Sequence, residues 1–177
     1  MARRGLPTFA IDVRGFGQWN QNSKHTNLDL TNTVLDVHKA IFSIRQHFAG
    51  VPIFLVGESM GGAVAITAAA QRPDFISGVI ASVPSGERFE EKKVKLKVGA
   101  KYLLNPKQQF DVTGKVVNKA VSNEEIRQLW LDDPLNRLHL SARELLHFQK
   151  FMDRCIDHAR RLNKVPVLIV QGCRDNL

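Results

Sequence analysis

The chain has 177 residues, 44% hydrophobic and 24% charged, with a formal net charge of +8 and a pI of about 9.8. That length and composition describe one globular domain with enough apolar material for a core. Two cysteines cannot form a disulfide framework, and no apolar run reaches membrane-spanning length. The start Met1-Ala2-Arg3-Arg4 is not followed by an apolar signal core, because Pro7, Asp12 and Arg14 interrupt it.

Gly5-Leu6-Pro7 reads as a turn, and Thr8-Phe9-Ala10-Ile11-Asp12-Val13 as a buried strand. The strand ends in the loop Arg14-Gly15-Phe16-Gly17, and polar residues carry the loop to Asn27. Thr31 or Asn32 can cap a helix running to about Phe48, with Val34, Val37, Ile41, Ile44 and Phe48 on its apolar face. Gly50 and Pro52 end it. Pro52-Ile53-Phe54-Leu55-Val56 is then a buried strand, and the Ala-rich stretch from Ala63 to Gln71 a helix.

Between these two lies Gly57-Glu58-Ser59-Met60-Gly61-Gly62. A G-x-S-x-G joining strand to helix is a nucleophile elbow. The turn forces the serine into strained backbone angles, and Gly57 and Gly61 are expected to avoid side-chain collisions there. The Ser59 hydroxyl then projects clear of the sheet, beside the positive end of the helix and the Met60 N–H. The inert alternative is a Gly-rich strand-to-helix turn.

Ile76 to Val83 reads as the next strand, closed by Pro84-Ser85-Gly86. The order so far implies a parallel sheet covered by helices, with Ser59 at the carboxyl end of a strand, where such sheets hold their sites. The alternation then stops between Glu87 and about Leu140. Phe89 to Leu103 fits a helix better than a strand, although Val94, Leu96 and Val98 alternate with lysines. Ser122-Asn123-Glu124-Glu125 starts a helix with Ile126, Leu129 and Trp130 on its apolar side, and Asp132-Asp133-Pro134 stops it. Residues 86–140 read as an insertion that acts as a lid; the inert alternative is a helical decoration with no binding role.

From Glu87 to Lys119 there are nine bases and four acids, more than half of the net charge. Such a stretch attracts anionic lipid or acidic substrates, or is a solvated face. No nucleic-acid motif accompanies it, so no nucleic-acid partner is expected. Ser141 caps a long helix to about Asn163, with Leu145, Phe148, Met152, Cys155, Ile156 and Ala159 buried. Val165 to Val170 is a last strand, running into Gly172-Cys173-Arg174-Asp175.

A serine needs a base, and the base needs an acid to orient it. Asp175, just past a strand end, suits the orienting acid. In the order Ser, Asp, His the histidine does not appear, because His25, His38, His47, His139, His147 and His158 all precede Asp175. His25, in a loop after a strand end, is the least implausible substitute. No metal-ligand motif or phosphate loop is present, and no cofactor or metal is expected.

The elbow, the Asp12-to-Gly17 loop, the Asp133-Pro134-Leu135 turn and Gly172-Cys173-Arg174-Asp175 together resemble the monoacylglycerol lipase and lysophospholipase branch of the α/β-hydrolases, also described as serine aminopeptidase-like. The resemblance implies a partial α/β-hydrolase domain over residues 1–177, mostly parallel sheet with flanking helices and a helical lid insertion at 86–140. It implies hydrolysis of a carboxylic ester of a lipid, of monoacylglycerol or lysophospholipid type. Ser59 would attack, the Met60 N–H would give half the oxyanion hole, and Asp175 would orient a histidine carried elsewhere. In that family the Asp-x-Arg-Gly loop follows the fourth strand. The resemblance therefore implies a fragment that starts three strands late and ends before the last strand and the catalytic histidine, and that is nearly inactive alone. The strand at Thr8–Val13 would then lack its partner next to Ile53–Val56. With Cys155 and Cys173 taken as reduced thiols, the location read from the sequence is cytoplasmic, with peripheral contact to an anionic membrane through the basic lid. The reading from another class is a non-catalytic hydrolase-like fragment that binds a lipid or a protein.

Overall fold

The computed structural model describes residues 2–21, 27–84, 105–112, 117 and 121–172. Its main elements among these are α1 Leu30–His47, β1 Phe54–Glu58, α2 Met60–Gln71, β2 Gly78–Ser82, β3 Gln109–Asp111, α3 Glu124–Asp132, β4 His139–Ser141, α4 Ala142–Arg160 and β5 Val167–Val170. The main sheet is parallel, in the order β1-β2-β5. Phe54 pairs with Gly78 and Glu58 with Ser82, and Val79 pairs with Val167. This is the mostly parallel sheet with flanking helices that the α/β-hydrolase resemblance implies.

α2 packs on β1 and β2 and is flanked by α1 and α4. Its small side chains allow the close approach: Ala63, Ala68 and Ala69 are fully buried. α1 presents Leu30, Thr33, Val34, Val37 and Ile41, at helical spacing, and α4 presents Met152 and Cys155. Val79 and Ala81 of β2 point into the same core. Because side chains alternate along a strand, the in-register neighbours Phe54, Val56, Leu168 and Val170 share the opposite face, and each is at least half exposed. Ala68→Leu would force three extra heavy atoms between α2 and its neighbours. It is expected to cost about 1–3 kcal/mol in urea unfolding.

Several expectations are corrected. Asp29, not Thr31 or Asn32, caps α1, accepting the Asn32 N–H at 3.0 Å. A carboxylate one residue before the helix takes the first-turn donors better than a residue already inside it. Phe48 lies past the helix and is exposed, packed edge-on against Phe9 with ring centroids 6.1 Å apart. The expected buried strand at Thr8–Val13 is not one. Its backbone makes no ladder, and Phe9 and Ile11 are exposed. A strand is stable only with a hydrogen-bonded neighbour, and among the described residues this stretch has none. α4 ends at Arg160 rather than Asn163, and Ala159 faces solvent.

Of the 86–140 stretch, the expected helix near 89–103 lies outside the described residues. The two-stranded antiparallel sheet β3-β4 was not expected, because three-residue strands are too short to show alternation. α3 forms as expected, with Asn123 accepting the Ile126 N–H at 3.2 Å. Ile126, Leu129 and Trp130 stand exposed along it. The Asp133-Pro134-Leu135 turn is closed by the Asp133 carboxylate, which accepts the Leu135 N–H at 2.8 Å.

Candidate active site

Ser59 is the single residue between β1 and α2, with φ 50° and ψ −114°. A non-glycine residue with positive φ is uncommon, and the strain persists because the surroundings hold it. The Ser59 N–H donates to Ser82 O at 2.9 Å, across to the end of β2. The Ser59 carbonyl accepts the Ala63 N–H at 3.3 Å, the first turn of α2. Val83, the next residue of the neighbouring strand end, is also left-handed at φ 39° and donates its N–H to Val170 O at 2.7 Å. The carboxyl ends of β1, β2 and β5 are thus tied into one ledge. The Ser59 side chain does not cap α2.

The glycines divide their roles differently from the sequence expectation. A Cβ on Gly57 would collide with the Gly61 carbonyl and come within 2.6 Å of the Gly62 nitrogen. Gly57 must therefore be glycine. Among the described residues outside its own turn of α2, a Cβ on Gly61 would meet nothing within 4 Å. The expectation that Gly61 also avoids a collision is corrected: it supplies the backbone that Gly57 accommodates. A Cβ on Gly62 would lie 3.0 Å from Pro84 Cβ, so Gly62 packs under the turn after β2.

Met60 is half-buried and opens α2. The first N–H groups of a helix have no partner within it and carry its partial positive charge. Asp175 and His25 lie outside the described residues. His38 donates through Nε2 to Ala68 O at 2.9 Å, and His47 through Nδ1 to Ser43 O at 2.8 Å. Both are held by backbone carbonyls. His139 and His147 are exposed. His158 is half-buried, and burial with the nearby Arg161 and Arg154 lowers its pKa against the pull of Asp157.

The Arg14-to-Gly17 loop is tightly built. The Arg14 guanidinium donates to both oxygens of Asp36 at 2.5 and 2.9 Å and lies over the Trp19 ring. The Arg14 N–H donates to Thr33 Oγ1 at 3.2 Å, and the Gln18 N–H to Asp12 Oδ2 at 3.0 Å. Phe16 and Met60 pack against the same core cluster.

Sequence reasoning missed one charged group. Glu144 in the first turn of α4 is 3% exposed. Its carboxylate accepts from Leu28 N at 2.7 Å, Ser141 N at 2.8 Å and Ser141 Oγ at 2.7 Å, and pairs with Arg137 at 2.7 Å. The spacing Ser141-x-x-Glu144 is a capping-box pattern that could have disclosed part of this. Burial pushes the Glu144 carboxyl up, but the bonds from Ser141, Leu28 and Arg137 outweigh burial and hold it below the usual carboxylate range. With the folded value below the unfolded one, its stabilisation is present above the ordinary value of about 4.3 and is lost as pH falls through the folded value. Glu144→Gln is therefore expected to lower stability near neutral pH, with the difference from wild type shrinking as the pH falls through the acid range. Urea unfolding across that range checks this.

A model of the family described as "Serine aminopeptidase, S33" matches residues 1–177. The chain is 32% identical to a monoglyceride lipase of Mus musculus over 171 residues, which is 96% of this chain and 56% of the relative. It is 30% identical to a monoglyceride lipase of Homo sapiens, over 97% of this chain and 57% of the relative. It thus spans little more than half the length of these relatives. Among solved structures, a soluble variant of monoglyceride lipase from Saccharomyces cerevisiae superposes with a TM-score of 0.70 at 22% identity, covering 93% of this chain and 58% of that one. A monoacylglycerol lipase of Paleococcus ferrophilus gives 0.67 at 20% identity, covering 92% and 72%. With Ser59 on a strained turn between a parallel strand and a helix, the chain belongs to the serine aminopeptidase S33 family of α/β-hydrolases.

Proposed function

We propose that this chain carries the nucleophile half of a serine hydrolase site that cleaves carboxylic esters of lipids, of monoacylglycerol or lysophospholipid type. The observation that carries the reading is Ser59 held at φ 50° between β1 and α2, in a chain about a third identical to monoglyceride lipases. In this reading Ser59 Oγ attacks the ester carbonyl while a histidine takes its proton. The Met60 N–H, at the start of α2, donates to the oxyanion. The alcohol leaves with the proton, and water then releases the acid from the acyl-enzyme. Asp175 orients the histidine.

That histidine is supplied by a longer polypeptide, and the 177 residues alone are nearly inactive. His38 and His47 are held by carbonyls on α1 and α2, which argues against either as the base. The 86–140 stretch serves as a lid. Its basic residues, with the exposed Ile126, Leu129 and Trp130 of α3, support contact with an anionic lipid surface. No described helix is long and apolar enough to cross a membrane. The test compares hydrolysis of a long-chain monoacylglycerol, a lysophospholipid and a peptide amide by a polypeptide that continues past Leu177, with Ser59→Ala as control. Ester cleavage that depends on Ser59 supports the proposal. Cleavage of the peptide alone overturns the substrate class.

A further inference from the structure

Glu144 does more than cap a helix. A capping carboxylate satisfies one or two donors at its own N-terminus. This one also accepts the Leu28 N–H, 116 residues away in sequence, at 2.7 Å. Arg137 bridges it from the other side, with its two terminal nitrogens 2.7 and 2.9 Å from the two carboxylate oxygens. Arg137 also donates to Gly15 O at 3.5 Å. Gly15, at φ 85°, is pressed against the Leu28 amide, since a Cβ there would come within 2.6 Å of Leu28 N. The contacts close a ring: Gly15 on Leu28, Leu28 to Glu144, Glu144 to Arg137, Arg137 to Gly15. Both charged side chains are nearly buried, at 13% exposure for Arg137 and 4% for Glu144.

The ring joins three segments: the Arg14-to-Gly17 loop, the start of α1, and the junction of β4 with α4. The first two are also linked by the Arg14 bonds to Thr33 and Asp36 of α1. Since α2 and α4 run back against the parallel strands they connect, their N-termini lie at the carboxyl end of the sheet, where Ser59 sits.

We propose that Glu144 and Arg137 are positioning residues that lock the Arg14-to-Gly17 loop, the start of α1 and the base of the 86–140 stretch into one wall on the Ser59 side of the sheet. The link to Ser59 rests on the serine hydrolase reading; the locking does not. A buried pair of this kind is costly to break on one side, and the loss is shared by every segment the pair holds.

Amide hydrogen exchange of the 177-residue chain tests it, on wild type, Glu144→Gln, Arg137→Met and the double variant. Residues 14–17, 27–30 and 137–141 are expected to lose protection together, by about tenfold or more, in each single variant. The double variant is expected to lose little beyond either single one. Arg137→Met keeps the Ser141 and Leu28 bonds to Glu144, so it remains informative if Glu144→Gln does not fold. Loss confined to the first turn of α4, or additive losses, would overturn the proposal. In a polypeptide that continues past Leu177 and is labelled as wild type, fluorophosphonate labelling of Ser59 is expected to slow in Arg137→Met below its melting temperature. An absence of wild-type labelling in that longer polypeptide would count against the hydrolase reading and leave the exchange result to decide the wall.

Discussion

Ser59→Ala is expected to lower ester hydrolysis by on the order of 10⁶ in a polypeptide that carries a complete triad, and to abolish fluorophosphonate labelling. The expectation follows from the division of labour at the elbow. The backbone of Ser59 is committed on both sides, to Ser82 O and Ala63 N, while its side chain takes no part in capping α2. The backbone bonds that hold the strand-to-helix turn stay in place when the hydroxyl is removed. Ser59→Gly separates side chain from backbone further. It removes the same hydroxyl but relieves a φ of 50°, so it is expected to be inactive and up to about 1 kcal/mol more stable than Ser59→Ala in urea unfolding. A stability gain with loss of activity would mark the strain as belonging to the site.

Gly57→Ala is the larger structural lesion. The added Cβ would meet the Gly61 carbonyl, a backbone atom in the first turn of α2, and not a side chain that can rotate away. To make room, α2 would have to lift from the sheet, and its buried face includes Ala63, Ala68 and Ala69. A cost of about 3–5 kcal/mol is expected, with loss of labelling at Ser59. Gly61→Ala is the contrasting change. No described residue outside its own turn of α2 lies within 4 Å of a Cβ there, and alanine favours a helix by about 1 kcal/mol over glycine. Its stability is expected to equal or exceed wild type. A Gly61→Ala variant as damaged as Gly57→Ala would contradict the assignment of roles to the two glycines. Melting curves of the two variants decide it.

The elbow was legible because its signal is local. Pattern, preceding apolar run and following Ala-rich run all fall within about two dozen residues, and local sequence encodes strand, turn and helix directly. The positions of β2, β5, α1 and α4 followed for the same reason. Thr8–Val13 failed because an apolar, β-favouring run states only what a segment could do. Whether it becomes a strand depends on a neighbour that sequence spacing does not reveal. The β3-β4 pair was illegible because each strand has three residues. The Arg137–Glu144–Leu28 ring was invisible because its closing bond joins residues 116 apart. Only the Ser141-x-x-Glu144 spacing hinted that this carboxylate had a structural task. Asp175 and His25 lie outside the described residues, so the acid and the substitute base rest on sequence order alone.

The most direct test of the central claim is fluorophosphonate labelling with peptide mapping. The 177-residue chain, shown to be folded, is compared with a polypeptide that continues past Leu177 into a further strand and a histidine. The account predicts label on Ser59 in the longer polypeptide and little or none in the 177 residues. Rapid labelling of Ser59 in the 177-residue chain would contradict it, placing the base within this sequence and His25 first among the candidates. Label on any other serine would contradict the elbow itself.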